Sequence, residues 1–108
     1  MLVVCLKKKG YEILEKNYTT SVGEIDIIAV GDGYLVFFEV KLRYDDEHGF
    51  ASEAVNFAKR KKINQVASQY INQFRMFDSP VRFDVIEVYT KTKEINHIEN
   101  AFDSYLRY

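Results

Sequence analysis

The chain has 108 residues, 47% hydrophobic and 29% charged, with one proline and a single cysteine, Cys5. That length fits one domain, residues 1–108, able to bury roughly two thirds of its unfolded surface, and the composition excludes disorder along the whole chain. A lone cysteine excludes an internal disulfide and a cysteine-ligated zinc site, and a formal net charge of −1 excludes nucleic-acid binding driven by global charge.

The opening MLVVCLKKKG places its lysines after the apolar stretch, the reverse of a signal peptide, and is too short to span a bilayer. A soluble, cytoplasmic protein with no membrane contact is the expectation. Residues 2–9 read as a short helix that Gly10 ends in the left-handed conformation. Tyr11 to Tyr18 alternate polar and apolar residues as a strand does, and Thr19 to Gly23 supply a turn. Glu24 to Val30 form a second strand, which the tight connection Gly31, Asp32, Gly33 joins to an antiparallel third strand, Tyr34 to Arg43. Tyr44 to Ala51 lack periodicity and read as a loop.

From Ser52, read as its cap, helical spacing of Ala54, Val55, Ala58, Lys62, Val66, Ala67, Tyr70, Ile71 and Phe74 predicts a long helix. Ser79 and Pro80 precede a fourth strand, Val81 to Thr90, followed by a short fifth, Glu94 to Ile98, and a final helical turn from Asn100 to Leu106. The order predicts an α/β fold with a mixed sheet of about five strands flanked by helices.

Ionised groups inside apolar strands are costly unless they are paired or bind metal. Asp26 stands among Ile25, Ile27, Ile28 and Ala29, while Glu39 and Lys41 interrupt Leu35 to Leu42. A period of two puts Glu39 and Lys41 on one face of the third strand, and the hairpin brings Asp26 into the neighbouring strand. Two adjacent carboxylates stay ionised when a cation lies between them, and oxygen ligands favour Mg²⁺ or Mn²⁺. A lysine beside such a pair can hold an attacking water or stabilise charge developing on phosphorus, so the trio fits phosphodiester hydrolysis. The structural reading of the same residues is a cross-strand ion pair between Asp26 and Lys41, with Glu39 facing water.

The pair GEID (Gly23 to Asp26) and EVK (Glu39 to Lys41) resembles the core of the PD-(D/E)xK nucleases. With KKKGYEILEKNY, RFDVIEV and HIENAF, the chain is similar from about Leu6 to Phe102 to the YraN-like family of that superfamily, related to archaeal Holliday-junction resolvases. The resemblance implies a restriction-endonuclease-like three-layer fold, metal-binding Asp26 and Glu39 with the Val40 carbonyl as an extra ligand, and a catalytic Lys41. It also implies DNA as substrate, branched or single-stranded structures among its forms. The family usually opens with a longer helix, and related nucleases add a metal-binding glutamate there; no acid precedes Glu12 in this sequence.

Lys59, Arg60 and Lys62 on the long helix, with Arg43 at the end of the third strand, are the candidate nucleic-acid contacts, although such clusters are usually solvated faces. Gln65 and Gln69 on that helix resemble glutamines that assist some related nucleases. Glu24 reads as a strand-end glutamate, His48 as an exposed loop residue and His97 as structural. The alternative to a nuclease is a catalytically inactive module on the same scaffold that binds nucleic acid or protein. A homodimer would suit a substrate with two strands to cut.

Overall fold

The protein is described by a computed structural model, which covers residues 2–44 and 56–104. Five strands form one sheet in the order β1 (Glu12–Thr19), β2 (Glu24–Gly31), β3 (Tyr34–Arg43), β4 (Val81–Tyr89) and β5 (Ile95–Phe102). All neighbours are antiparallel except β3 and β4, which run parallel and are separated in sequence by a long helix. The sheet is therefore mixed, as the sequence predicts.

Helix α1 (Leu2–Lys8) and helix α2 (Phe57–Phe74) cover opposite faces of that sheet. On the α2 side Ile25, Ile28, Leu35, Phe37, Phe83 and Val85 meet Ile63, Val66, Ala67, Tyr70 and Ile71. On the α1 side Leu6 and Tyr11 meet Ile27, Ala29, Val36, Phe38 and Ile86. This α/β sandwich of three layers explains why β3 is apolar on both faces through Phe38.

Local chemistry sets the connections. Gly10 has φ 97°, and the bonds Gly10 N to Lys7 O and Tyr11 N to Leu6 O close the end of α1. Between β2 and β3 the loop is Asp32 and Gly33, both at positive φ (53° and 80°), the backbone that a two-residue hairpin prefers. A Cβ on Gly31 would lie 2.5 Å from the Tyr11 ring, so this position must lack a side chain for Tyr11 to pack. Asn56 caps α2, its side chain accepting from Lys59 N at 2.9 Å, and Arg75 ends it in the left-handed region. Ser52, the expected cap, lies outside the described residues.

The end of the chain departs from expectation. β5 continues through Ala101 to Phe102, whose ring stacks 5.1 Å from Phe83, so no helix begins at Asn100. Asn100 instead adopts φ 51° beside the irregularity between Phe83 and Val85, and its N–H donates to Asp84. Burial of Phe102 outweighs the local turn signal of Asn100.

Under α1 lies a buried polar network. Arg82 grips Asp84 with Nε and Nη2 at 2.9 and 3.0 Å, and also donates to the Tyr11 hydroxyl. His97 Nε2 meets Asp84 Oδ2 at 2.7 Å, while His97 Nδ1 contacts Lys9 Nζ at 3.2 Å. Lysine only donates, so Nδ1 accepts and Nε2 donates to Asp84. The expected structural role of His97 holds.

Burial acts to raise the Asp84 carboxyl, but hydrogen bonds from His97, Arg82 and Asn100 outweigh it and hold the group below the usual carboxylate range. A depressed carboxyl stabilises the fold fully above its unfolded pKa of about 3.9 and loses that contribution as pH falls through its folded value. Asp84→Ala, which leaves Arg82 buried without its carboxylate, is expected to destabilise by about 3–5 kcal/mol in urea melts near pH 7. In the wild type the urea midpoint should fall between pH ~5 and ~2.5, and Asp84→Asn should flatten that fall.

Candidate functional site

The registered pairing of β2 with β3 runs from Gly31 and Tyr34 to Ile27 and Phe38, and no Cα pair follows it. One residue further along, side chains replace the ladder. Asp26 Oδ2 accepts the Val40 N–H at 2.7 Å, so the carboxylate takes the backbone donor that a continuing strand would have used. A strand residue directs its N–H and C=O to the same neighbour, so the Val40 carbonyl also faces the Asp26 side.

Glu39 lies on the α2 face, continuing the row of Leu35 and Phe37, and is only 7% exposed. The expectation that it would face water is overturned, as is the cross-strand pair of Asp26 with Lys41: among the described residues Asp26 makes no ion pair. The partner of Glu39 is Lys59, whose Nζ reaches Oε1 at 2.5 Å from the first turn of α2. Lys59 also interacts with the side chain of Lys41, so two ammonium groups and two carboxylates share this end of the sheet.

The electrostatics are those of a crowded, partly dehydrated site. Burial pushes the Glu39 carboxyl above its ordinary range, and the nearby Asp26 charge adds to the rise against the opposing pull of Lys59. Burial holds the Lys41 ammonium below the usual lysine range, helped by the charge of Lys59 beside it. Burial also disfavours the Lys59 ammonium, but its hydrogen bond and ion pair with Glu39 carry it above the usual value. An ion pair alone would raise the lysine and lower the glutamate. That both rise shows burial prevailing over pairing at Glu39, which is the more enclosed partner.

Could this arrangement hold a divalent cation? Asp26 Oδ1 and Glu39 Oε2 accept no hydrogen bond among the described residues, the Val40 carbonyl faces the same side, and Lys59 already sets a cation against Glu39. All of these donors are oxygens, which suits Mg²⁺ or Mn²⁺. Among the described residues no three His, Cys, Asp or Glu side chains converge on one point, so these residues supply a pair of carboxylates rather than a closed cage. α1 carries no acid in its first turn.

The remaining expected contacts separate. Arg43, on the same face as Glu39 and Lys41, is held by buried Glu87 through Nε at 3.0 Å and Nη2 at 2.9 Å. Arg60 places its guanidinium 5.7 Å from the Phe102 ring centre, and Lys62 is exposed. Gln65 and Gln69 line an open groove of about 1170 Å³ whose walls include none of Asp26, Glu39, Lys41 and Lys59. Glu24 is an exposed strand-end residue bonded to Thr19 Oγ1 at 3.1 Å. His48 lies outside the described residues.

Two participants escaped sequence reasoning. Lys59 stood only among phosphate contacts, and nothing local marks it as the partner of Glu39. Glu87 had a visible signal, a charge inside VRFDVIEV, and it lies beside Lys41 in the β3–β4 register.

The chain matches the Uncharacterised protein family UPF0102 over residues 1–88. It is 54% identical over 97 residues to a UPF0102 protein of Clostridioides difficile, the match covering 90% of this chain and 85% of that protein. A UPF0102 protein of Alkaliphilus oremlandii is 50% identical over 101 residues, covering 90% of this chain and 86% of the relative. One from Caldanaerobacter subterraneus is 46% identical over 102 residues, covering 90% and 84%.

The raised Glu39 carboxyl stabilises the fold below its unfolded pKa of about 4.3 and loses that contribution as pH rises through the folded value. Glu39→Gln, without added metal at pH ~7, should therefore melt at the wild-type temperature or a few degrees above it, with the half-exposed Lys59 returning to water. Asp26→Ala should melt lower, by about 1–3 kcal/mol, because the Val40 N–H loses its acceptor. Circular-dichroism melts check both, and a strong loss in Glu39→Gln would show that the Glu39 charge is structural.

Proposed function

The chain belongs to the UPF0102 family, the YraN-like group, and we propose that it is a Mg²⁺- or Mn²⁺-dependent nuclease of the PD-(D/E)xK type that hydrolyses DNA phosphodiesters. The observation that carries this reading is the buried Glu39 carboxylate beside Asp26, with two lysines against it, where the β2–β3 ladder stops. A structural network would have no need to hold two like charges together in so little water.

In this mechanism Asp26 and Glu39 would hold the cation, and the Val40 carbonyl would add a further oxygen from the described residues. The chemistry a divalent cation supplies at such a pair is polarisation of a phosphoryl oxygen and a lowered pKa for water. Lys41, on the Glu39 face of β3, orients the attacking water and stabilises charge on the phosphoryl oxygens. Burial holds its ammonium below the usual lysine range, so it gives up a proton more readily than an exposed lysine. Arg43, fixed by Glu87 two residues along the same face, stands one strand repeat away, where it meets a neighbouring phosphate.

A second reading has an observation of its own. With no acid in the first turn of α1 and no third metal-ligating side chain at the pair among the described residues, the same surface supports a catalytically inactive module that binds nucleic acid or protein.

The test is cleavage of junction, flap, single-stranded and plasmid DNA with Mg²⁺ or Mn²⁺. Wild-type protein should cut at least one of these, a chelator should abolish cutting, and Asp26→Asn and Lys41→Ala should each lower the rate by about 100-fold or more. Equal cutting by the variants would place the activity elsewhere. Salt-sensitive DNA binding without cutting would support the inactive module.

A further inference from the structure

We propose that Lys59 is a built-in counter-cation that competes with the divalent ion for Glu39 and, once displaced, passes to the DNA phosphate, so that metal and DNA bind cooperatively. This rests on the nuclease reading above.

The position of Lys59 is set from two directions. Its backbone N–H is tied to the Asn56 cap at 2.9 Å, which fixes the start of α2, and its Nζ lies 2.5 Å from Glu39 Oε1. Glu39 has 8% side-chain exposure and Lys59 has 41%, so the carboxylate is the enclosed partner and the ammonium the one with access to solvent. A divalent ion binding at Glu39 would meet this ammonium on Oε1 and compete with it for the carboxylate. Lysine suits that role because its charge is a compact point on a flexible four-carbon stem, and at 41% side-chain exposure it already has access to water.

Charge balance gives the displacement a direction. Two carboxylates, Asp26 and Glu39, are matched by two ammonium groups, Lys41 and Lys59, so these four groups sum to zero before any ion enters. A divalent ion brings that sum to plus two, an excess that a polyanionic backbone relieves. Lys59, released from Glu39 but still anchored by its helix, is then the nearest mobile donor for a phosphoryl oxygen. Metal uptake thus frees a phosphate ligand, and phosphate binding removes a competitor from the metal ligand. By linkage each must strengthen the other by the same factor.

The experiment measures Mn²⁺ affinity by calorimetry on the full chain, without DNA and with a saturating cleavage-resistant phosphorothioate oligonucleotide. Without DNA, Lys59→Met should bind Mn²⁺ roughly two- to fivefold more tightly than wild type, the scale of one half-exposed charge pair. Lys59→Arg, which retains the cation, should stay near wild type, and Asp26→Asn should abolish uptake. The oligonucleotide should tighten Mn²⁺ binding to the wild type and have a smaller effect on Lys59→Met. Equal or weaker Mn²⁺ binding by Lys59→Met would overturn the inference while leaving the nuclease reading intact. Absence of Mn²⁺ uptake in wild type and Lys59→Met alike, with no cutting by either, would remove both.

Discussion

The contact between Glu39 and Lys59 joins the layers of this protein at the point where they matter chemically. β3 is central in the sheet and buried on both faces as far as Phe38, so the next residue inherits an apolar environment. A carboxylate there is tolerated because the first turn of α2 lowers an ammonium onto it. That one pair ties the first turn of α2 to β3. The apolar stripe from Ile63 to Ile71 then carries the helix across the sheet.

Both faces of the sheet bury charge, and comparing them separates structure from function. On the α1 side Asp84 receives donors from Arg82, His97 and the Asn100 backbone, and a fully satisfied carboxylate of this kind has no capacity left for a ligand. Glu87, on the α2 face, is similarly occupied by Arg43 and Asn96. Asp26 and Glu39 differ: among the described residues each has one oxygen engaged, and each sits where the pairing of β2 with β3 stops. Partner count is thus lower at Asp26 and Glu39 than at Asp84 and Glu87.

Much of this was legible in the sequence. The bounds of β3 follow from the apolar run Leu35 to Phe38 and its polar ends, and the Asp32–Gly33 hairpin follows from its demand for positive φ. Period-two alternation placed Glu39 and Lys41 on one face. Register was less accessible, because the hydrogen bond from Val40 to Asp26 depends on where the ladder ends, and that is decided by both strands together. The rule that marked Asp26, a charge in an apolar strand, applies equally to Arg82, Asp84 and Glu87, which the fold uses as internal ion pairs. Spacing cannot distinguish these uses; partner count can. Lys59 was hidden for another reason: it lies 20 residues beyond Glu39 in sequence, and only the crossover from β3 through α2 to β4 brings them together.

The start of α2 breaks a local rule in a way that agrees with the site. A helix N-terminus carries partial positive charge and prefers acidic residues, each mismatch costing about 0.3–1 kcal/mol when exposed. α2 has no acid in its first turn and places Lys59 and Arg60 there, with no base in its last turn to compensate. Asn56 and the Glu39 carboxylate relieve part of that strain, one by capping and the other by pairing. Helix stability alone would select the opposite charges. The positive end of α2, Lys59 and Lys41 therefore meet the Asp26 and Glu39 carboxylates at a single place, and the pairing of Lys59 with Glu39 accounts for a base where helix stability alone would favour an acid.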